Sequence, residues 1–161
     1  MTKKYEINAD GRVVARRNFG FVKAGDVGGF VESETNLSHE GNCWVSGNAE
    51  VSGDARVSGD ARVYGEAQVY ENAQVCENAR VCGNAWVFGN ARVYGVMRSD
   101  GFSFCYVSCA DREHRVIAGC RYFTMPEARE HWGTEHPKHE ETCVILDALE
   151  RLSKVREEGC V

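Results

Sequence analysis

From Val45 onward the chain repeats every six residues, and the register holds for about fifty residues: VSGNAE, VSGDAR, VSGDAR, VYGEAQ, VYENAQ, VCENAR, VCGNAW, VFGNAR and then VYG. Valine holds the first position from Val45 to Val93, and alanine holds the fifth from Ala49 to Ala91. The third position is Gly or Glu, and the fourth is Asn, Asp or Glu. Few folds accept such a pattern. An α-helix would not take so many glycines and β-branched residues at this period, and a pentapeptide solenoid has the wrong one.

A period of six is one flat side of a triangular coil, so three repeats close a turn of 18 residues. Valine suits a pleated, buried surface. Alanine faces inward as well and must be small, because the prism is narrow. Gly and Asn stand where the chain turns a corner, since they tolerate the left-handed backbone conformation. The second and sixth positions point outward and vary most. The expected fold is therefore mainly β: a left-handed parallel β-helix of about four triangular coils over residues 27–98, rising roughly 4.8 Å per coil. Upstream the register predicts an irregular first coil. Cys43, Leu37 and Val31 fall in the alanine slot, Val27 in a valine slot, and Ser33 and His39 in valine slots as well.

A solenoid leaves open sheet edges that need covering. Residues 1–26 supply KKYEI and RVVARRNFGFV, two short strands around the Asp10-Gly11 turn, as a cap on the first coil. Residues 99–161 form an α+β cap and oligomerisation segment. GFSFCYVS is one strand, Asp111-Arg112-Glu113 a turn, and HRVIAGCRYF a second strand. Thr124 is placed to N-cap a short helix carrying Pro126 and Glu127 to Trp132. An amphipathic helix over His139–Glu158 follows, with Ile145, Ala148, Leu152 and Val155 as its apolar stripe and Leu149 beside them.

A net charge of -5 argues against a general nucleic-acid binder. The N-terminus has no apolar signal-peptide core, and no apolar run has the length of a membrane span. Eight cysteines without a secreted framework or a C-x-x-C pair read as reduced thiols of a cytoplasmic protein. No cofactor is expected. His131, His136, His139 and Cys143 match no familiar zinc spacing, so no metal site is expected there.

The hexads resemble the hexapeptide-repeat superfamily, which includes many acyltransferases. The flanking GDVGGFVESETNLSHEGNCWV, and the tail VIAGCRYFTMPEAREHWG followed by EETCVILDALERL, resemble a narrower group. That group comprises phage and prophage β-helix proteins labelled polymer-forming cytoskeletal or acyltransferase (YdcK-like). The resemblance covers nearly the whole chain. It implies the fold and a bacterial host, with an anti-defence role as one version of the function.

Acyltransferases of this kind need a general base, usually a His, at a subunit interface against the coil wall. The hexads contain no His and no inserted loop, and His39 is the one weak catalytic candidate. Residues 18 apart stack on one face, so Trp44, Arg62, Arg80 and Arg98 are predicted to form an outward column able to grip an anionic ligand or an acidic partner. Outward Tyr64, Tyr70, Trp86, Phe88 and Tyr94, with Ile145, Leu149 and Leu152 of the long helix, are the candidate interface of a homo-oligomer, a trimer of prisms side by side. The function expected is non-enzymatic binding of a host protein or an anionic small molecule. The alternatives are an acyltransferase using acetyl-CoA and a structural, self-associating protein.

Overall fold

The hexads fold as their slots require. The computed structural model describes residues 3–108, 115–119 and 121–158. Three strands lead in: β1 (Tyr5–Ile7), β2 (Arg12–Ala15) and β3 (Val27–Val31). The coils then follow as two-residue strands, β4 (Trp44–Val45), β5 (Glu50–Val51), β6 (Arg56–Val57), β7 (Arg62–Val63), β8 (Gln68–Val69), β9 (Gln74–Val75), β10 (Arg80–Val81) and β11 (Trp86–Val87). The first face carries β1-β2-β3-β5-β8-β11 and the third carries β10-β7-β4. The second face is built on β6 and β9, extended by β12 (Arg92–Met97), β13 (Ser103–Ser108), β14 (Arg115–Ala118) and β15 (Arg121–Thr124). Ladder partners within the coils are parallel and 18 residues apart, as in Arg62↔Arg80 and Gln68↔Trp86. The result is a β-solenoid of about four turns.

The valines from Val45 to Val93 and the alanines from Ala49 to Ala91 are all buried, and together they make one continuous core. Each buried valine is worth about 1.5–3 kcal/mol. Most corners carry glycine at positive φ, but Glu71 (φ 59) and Glu77 (φ 57) hold two of them. Gly95 is different. It turns no corner: a Cβ there would sit 2.8 Å from the Ala79 Cα and the Asn78 carbonyl oxygen. The bare backbone lets β12 run straight over the last coil and pair antiparallel with β13.

The first coil is irregular in a way the strict period does not predict. Val31 pairs with Val51 and Leu37 bridges to Val57, each 20 residues away, whereas Val45 and Val63 are 18 apart. The chain between Leu37 and Val45 holds two extra residues. Val31 and Leu37 thus occupy valine slots, Ser33 and His39 occupy none, and Val27 is exposed at 59%. Cys43 keeps its alanine slot and is buried.

Side chains close the lower end. The Asn36 amide donates to the carbonyls of Gly53 and Ala55 at 2.8 Å each, acting as a surrogate strand. The Tyr5 hydroxyl donates to the Leu37 carbonyl (2.6 Å). The buried Lys4 ammonium donates to the Cys43 carbonyl (3.0 Å) and lies 3.2 Å from its thiol. Burial lowers the Lys4 pKa, and burial raises that of the Cys43 thiol.

At the upper end, strand alternation gives β13 two jobs. Cys105 and Val107 join the solenoid core, while Phe104 and Tyr106 join a second core with α1 (Met125–His131) and α2 (His139–Glu158). Trp132 receives the rings of Phe102, Phe104 and Phe123 edge-on. HRVIAGCRYF is two strands rather than one, β14 and β15, with Gly119 at positive φ between them. Thr124 caps α1 as predicted, in a reciprocal pair with Glu127. The Asp111-Arg112-Glu113 turn lies outside the described residues. Among the described residues no helix is long and apolar enough to cross a membrane.

Candidate anion-binding cleft on the arginine ladder

The predicted outward column forms over three of its four members. Trp44, Arg62 and Arg80 are ladder neighbours in β4, β7 and β10. Their environments differ. Trp44 is buried at 3% exposure, covered by the edge of Phe19 (ring centroids 5.4 Å apart), so it packs the N-terminal arm instead of meeting solvent. Arg98 leaves the column altogether. The chain departs at β12, and the position above Arg80 is taken by β13, whose Cys105 thiol accepts from the Arg80 amide (3.0 Å). Arg98 is 6% exposed, paired with Asp100 (2.8 Å) and bonded to the Thr142 hydroxyl (2.9 Å). It ties the cap together and is not available to a ligand.

What remains is a pair of guanidiniums on the wall of a cleft of about 390 Å³. Beside the pair runs a corner ladder, Asn42, Asp60 and Asn78, also 18 residues apart. Asp60 is engaged within that ladder and accepts from the Asn42 amide nitrogen (3.1 Å) and side chain (2.9 Å). Phe21 and Met97 form apolar lips, 51% and 48% exposed. The Arg62 guanidinium stacks on the Phe21 ring at 3.7 Å from its centroid. Burial lowers the Arg62 pKa, and the neighbouring charge of Arg80 lowers it further. Among the described residues neither guanidinium has a carboxylate within ion-pair distance. The ladder holds the two backbones about 4.8 Å apart, so the two positive charges share one cleft and repel, and an anion between them relieves the repulsion.

The cleft's other members were legible only in part. The 18-residue rule that stacks the arginines also stacks Asn42, Asp60 and Asn78. Phe21 and Met97 arrive from outside the hexads, and no periodicity announces them.

His39 does not line this cleft. Its ring stacks on Tyr5 (centroids 4.3 Å apart) and lies 3.8 Å from the Glu34 carboxylate, and among the described residues neither ring nitrogen has a hydrogen-bond partner. His139 and Cys143 lie together at the start of α2, with the imidazole Nδ1 2.7 Å from the Trp132 carbonyl oxygen. Among the described residues no group of three or more His, Cys, Asp or Glu could hold a metal.

The candidate interface residues separate into two kinds. Trp86 is exposed at 55%, Phe88 stacks on Tyr70 (5.5 Å), and both of these follow the first face. Tyr64 belongs to the third face and Tyr94 to the second, so the five aromatics share no single ladder. Burial and Cys82 together raise the Tyr64 pKa to about 12. Ile145 and Leu149 are buried in the cap's own core, and Leu152 is exposed at 44%. The face of α2 that packs inward is Thr142, Ile145, Leu146 and Leu149, so Ala148 and Leu152 point outward instead. The side chain of Val155 lies outside the described residues.

A family model described as the YdcK beta solenoid repeat matches residues 55–71, 73–88 and 79–96. Among curated proteins none matches the chain. The matched segments are the coils whose ladders run in the uninterrupted 18-residue register. Repeat and geometry agree, and the chain is a β-solenoid repeat protein.

Proposed function

We propose that this protein is a non-enzymatic binding protein that holds a small phosphate- or carboxylate-bearing molecule against Arg62 and Arg80. One observation carries the reading: two arginines at neighbouring ladder positions line one cleft, and among the described residues neither has a carboxylate within ion-pair distance. The planar guanidinium fork pairs bidentately with two oxygens of such anions. The cleft volume falls within the range typical of small-molecule sites, roughly 300–1,000 Å³. Phe21 and Met97 give the non-ionic part of a ligand an apolar surface, and Asn42 and Asn78 offer it hydrogen bonds.

The resemblance to phage and prophage proteins adds a setting. In it, an anti-defence role amounts to sequestering a small anionic molecule of the bacterial host. An acyltransferase would need a base at its substrate, and His39 is stacked elsewhere.

Native mass spectrometry of gently purified protein tests the proposal. The wild type is expected to carry an anionic passenger that the double variant Arg62→Ala/Arg80→Ala does not. A passenger retained equally by both proteins would place binding elsewhere.

A further inference from the structure

The outer face of α2 is an apolar stripe flanked by charges of opposite sign at its two ends. Val144, Ala148 and Leu152 follow each other at four-residue steps and are all exposed, Val144 at 68% and Leu152 at 44%. None belongs to either hydrophobic core. A helix that has already buried one face against its own cap has no internal use for a second.

The charges beside the stripe identify the occupant. Glu140 and Asp147 lie toward the start of the helix, and Arg151 and Lys154 toward its end, all exposed and on the same flank. Asp147 shares Arg129 with Glu150, and Lys154 reaches Glu150 at 3.6 Å. Among the described residues Glu140 and Arg151 have no ion-pair partner. A second copy of the same helix laid antiparallel, with its two-fold axis at Ala148, brings Val144 of each copy onto Leu152 of the other. It also sets Asp147 near Arg151 and Glu140 near Lys154 across the interface, each twice. The small Ala148 at the axis allows close approach. In a parallel pair the charged flanks of the two copies would lie on opposite sides of the seam and would not meet.

We infer that α2 is a self-complementary, two-fold dimerisation face. One 20-residue helix from each copy buries less than a standard interface, so the dimer is a weak one with a dissociation constant on the order of micromolar. This inference stands apart from the arginine cleft, which lies on the coil wall.

Sedimentation velocity and oxidative crosslinking of the full chain test it. Wild-type protein is expected to form dimers at roughly 100 µM, above the affinity such an interface supports, and Val144→Asp to be monomeric there. Arg151→Glu is expected to weaken the dimer by about tenfold or more. Under mild oxidation, with the wild type controlling for native thiols, Ala148→Cys is expected to link to itself across the axis. Glu140→Cys is not, since antiparallel copies place those positions roughly 24 Å apart at 1.5 Å per residue. A monomer at all concentrations would overturn the inference and leave the face to a different partner. So would a dimer indifferent to Val144→Asp, or Glu140→Cys crosslinking as readily as Ala148→Cys.

Discussion

Arg62 and Arg80 are direct partners in one parallel ladder, and among the described residues no carboxylate pairs with either. The ladder fixes the spacing of their backbones, and both side chains line the same cleft. Arrangements of this kind lower stability slightly and favour an anion that bridges them.

Removing the Arg80 charge should therefore not weaken the fold. Arg80→Ala takes a like charge away from Arg62 and is expected to leave the melting temperature unchanged or slightly raised. Arg62→Ala also loses the contact with Phe21 and is expected to cost about 0.5–1 kcal/mol. Urea titrations of the two variants against wild type read the difference in sign.

Asn36 holds the first coil to the second. Its side chain donates to two carbonyls and accepts from the Ser33 amide at 2.8 Å. Asn36→Ala leaves buried carbonyls unpaired and is expected to destabilise the protein by about 2–4 kcal/mol. Asn36→Asp should be worse, because a carboxylate would face those carbonyl oxygens. Chemical denaturation midpoints measure both.

The Arg98–Asp100 pair makes the upper cap acid-sensitive. Hydrogen bonds from Arg98 hold the Asp100 carboxyl down to about 2, below its ordinary 3.8. The folded state thus binds fewer protons at this group than the unfolded state. Its stabilising contribution is present above about pH 4 and is lost as the pH falls toward 2. Asp100→Asn is expected to melt lower than wild type at neutral pH, and the gap should close between pH 4 and 2. Arg98→Ala is expected to cost roughly 2–3 kcal/mol, because Thr142 and the rings of Phe102 and Phe104 lose a partner too. Thermal melts across that pH range test both statements.

Two corners carry a side chain where the other hexads place glycine. Glu71 and Glu77 have φ of 59 and 57, in the left-handed region that L-residues adopt at a cost. Glu71→Gly and Glu77→Gly are each expected to stabilise the solenoid by about 0.5–1 kcal/mol, net of the added freedom of the unfolded chain. A higher urea midpoint with an unchanged slope would bear this out.

The solenoid was legible because each hexad states its own geometry: Val and Ala for the inside, Gly and Asn for the corner. The legibility ended where that local rule ends. Two extra residues before Val45 shift Val31 and Leu37 into valine slots, and only the ladder partners reveal it. Gly95 reads as a seventh glycine corner but serves close approach over Ala79 instead. Arg98 sits in the right register for the arginine column, yet β12 carries it into the cap. The helix stripe was set one step off, because spacing alone does not say which of Ile145 and Ala148 faces inward. Arg62 and Arg80 were found by counting 18, whereas Phe21 reaches the cleft through the tertiary path of the N-terminal arm.

The most direct test of the arginine cleft is calorimetric titration of pyrophosphate, at constant ionic strength, into wild-type protein and Arg62→Ala/Arg80→Ala. The cleft predicts saturable binding to the wild type and a loss of about tenfold or more in the double variant, equivalent to roughly 1.4 kcal/mol. Equal affinity for both proteins, or no saturable heat from the wild type at millimolar pyrophosphate, would contradict it.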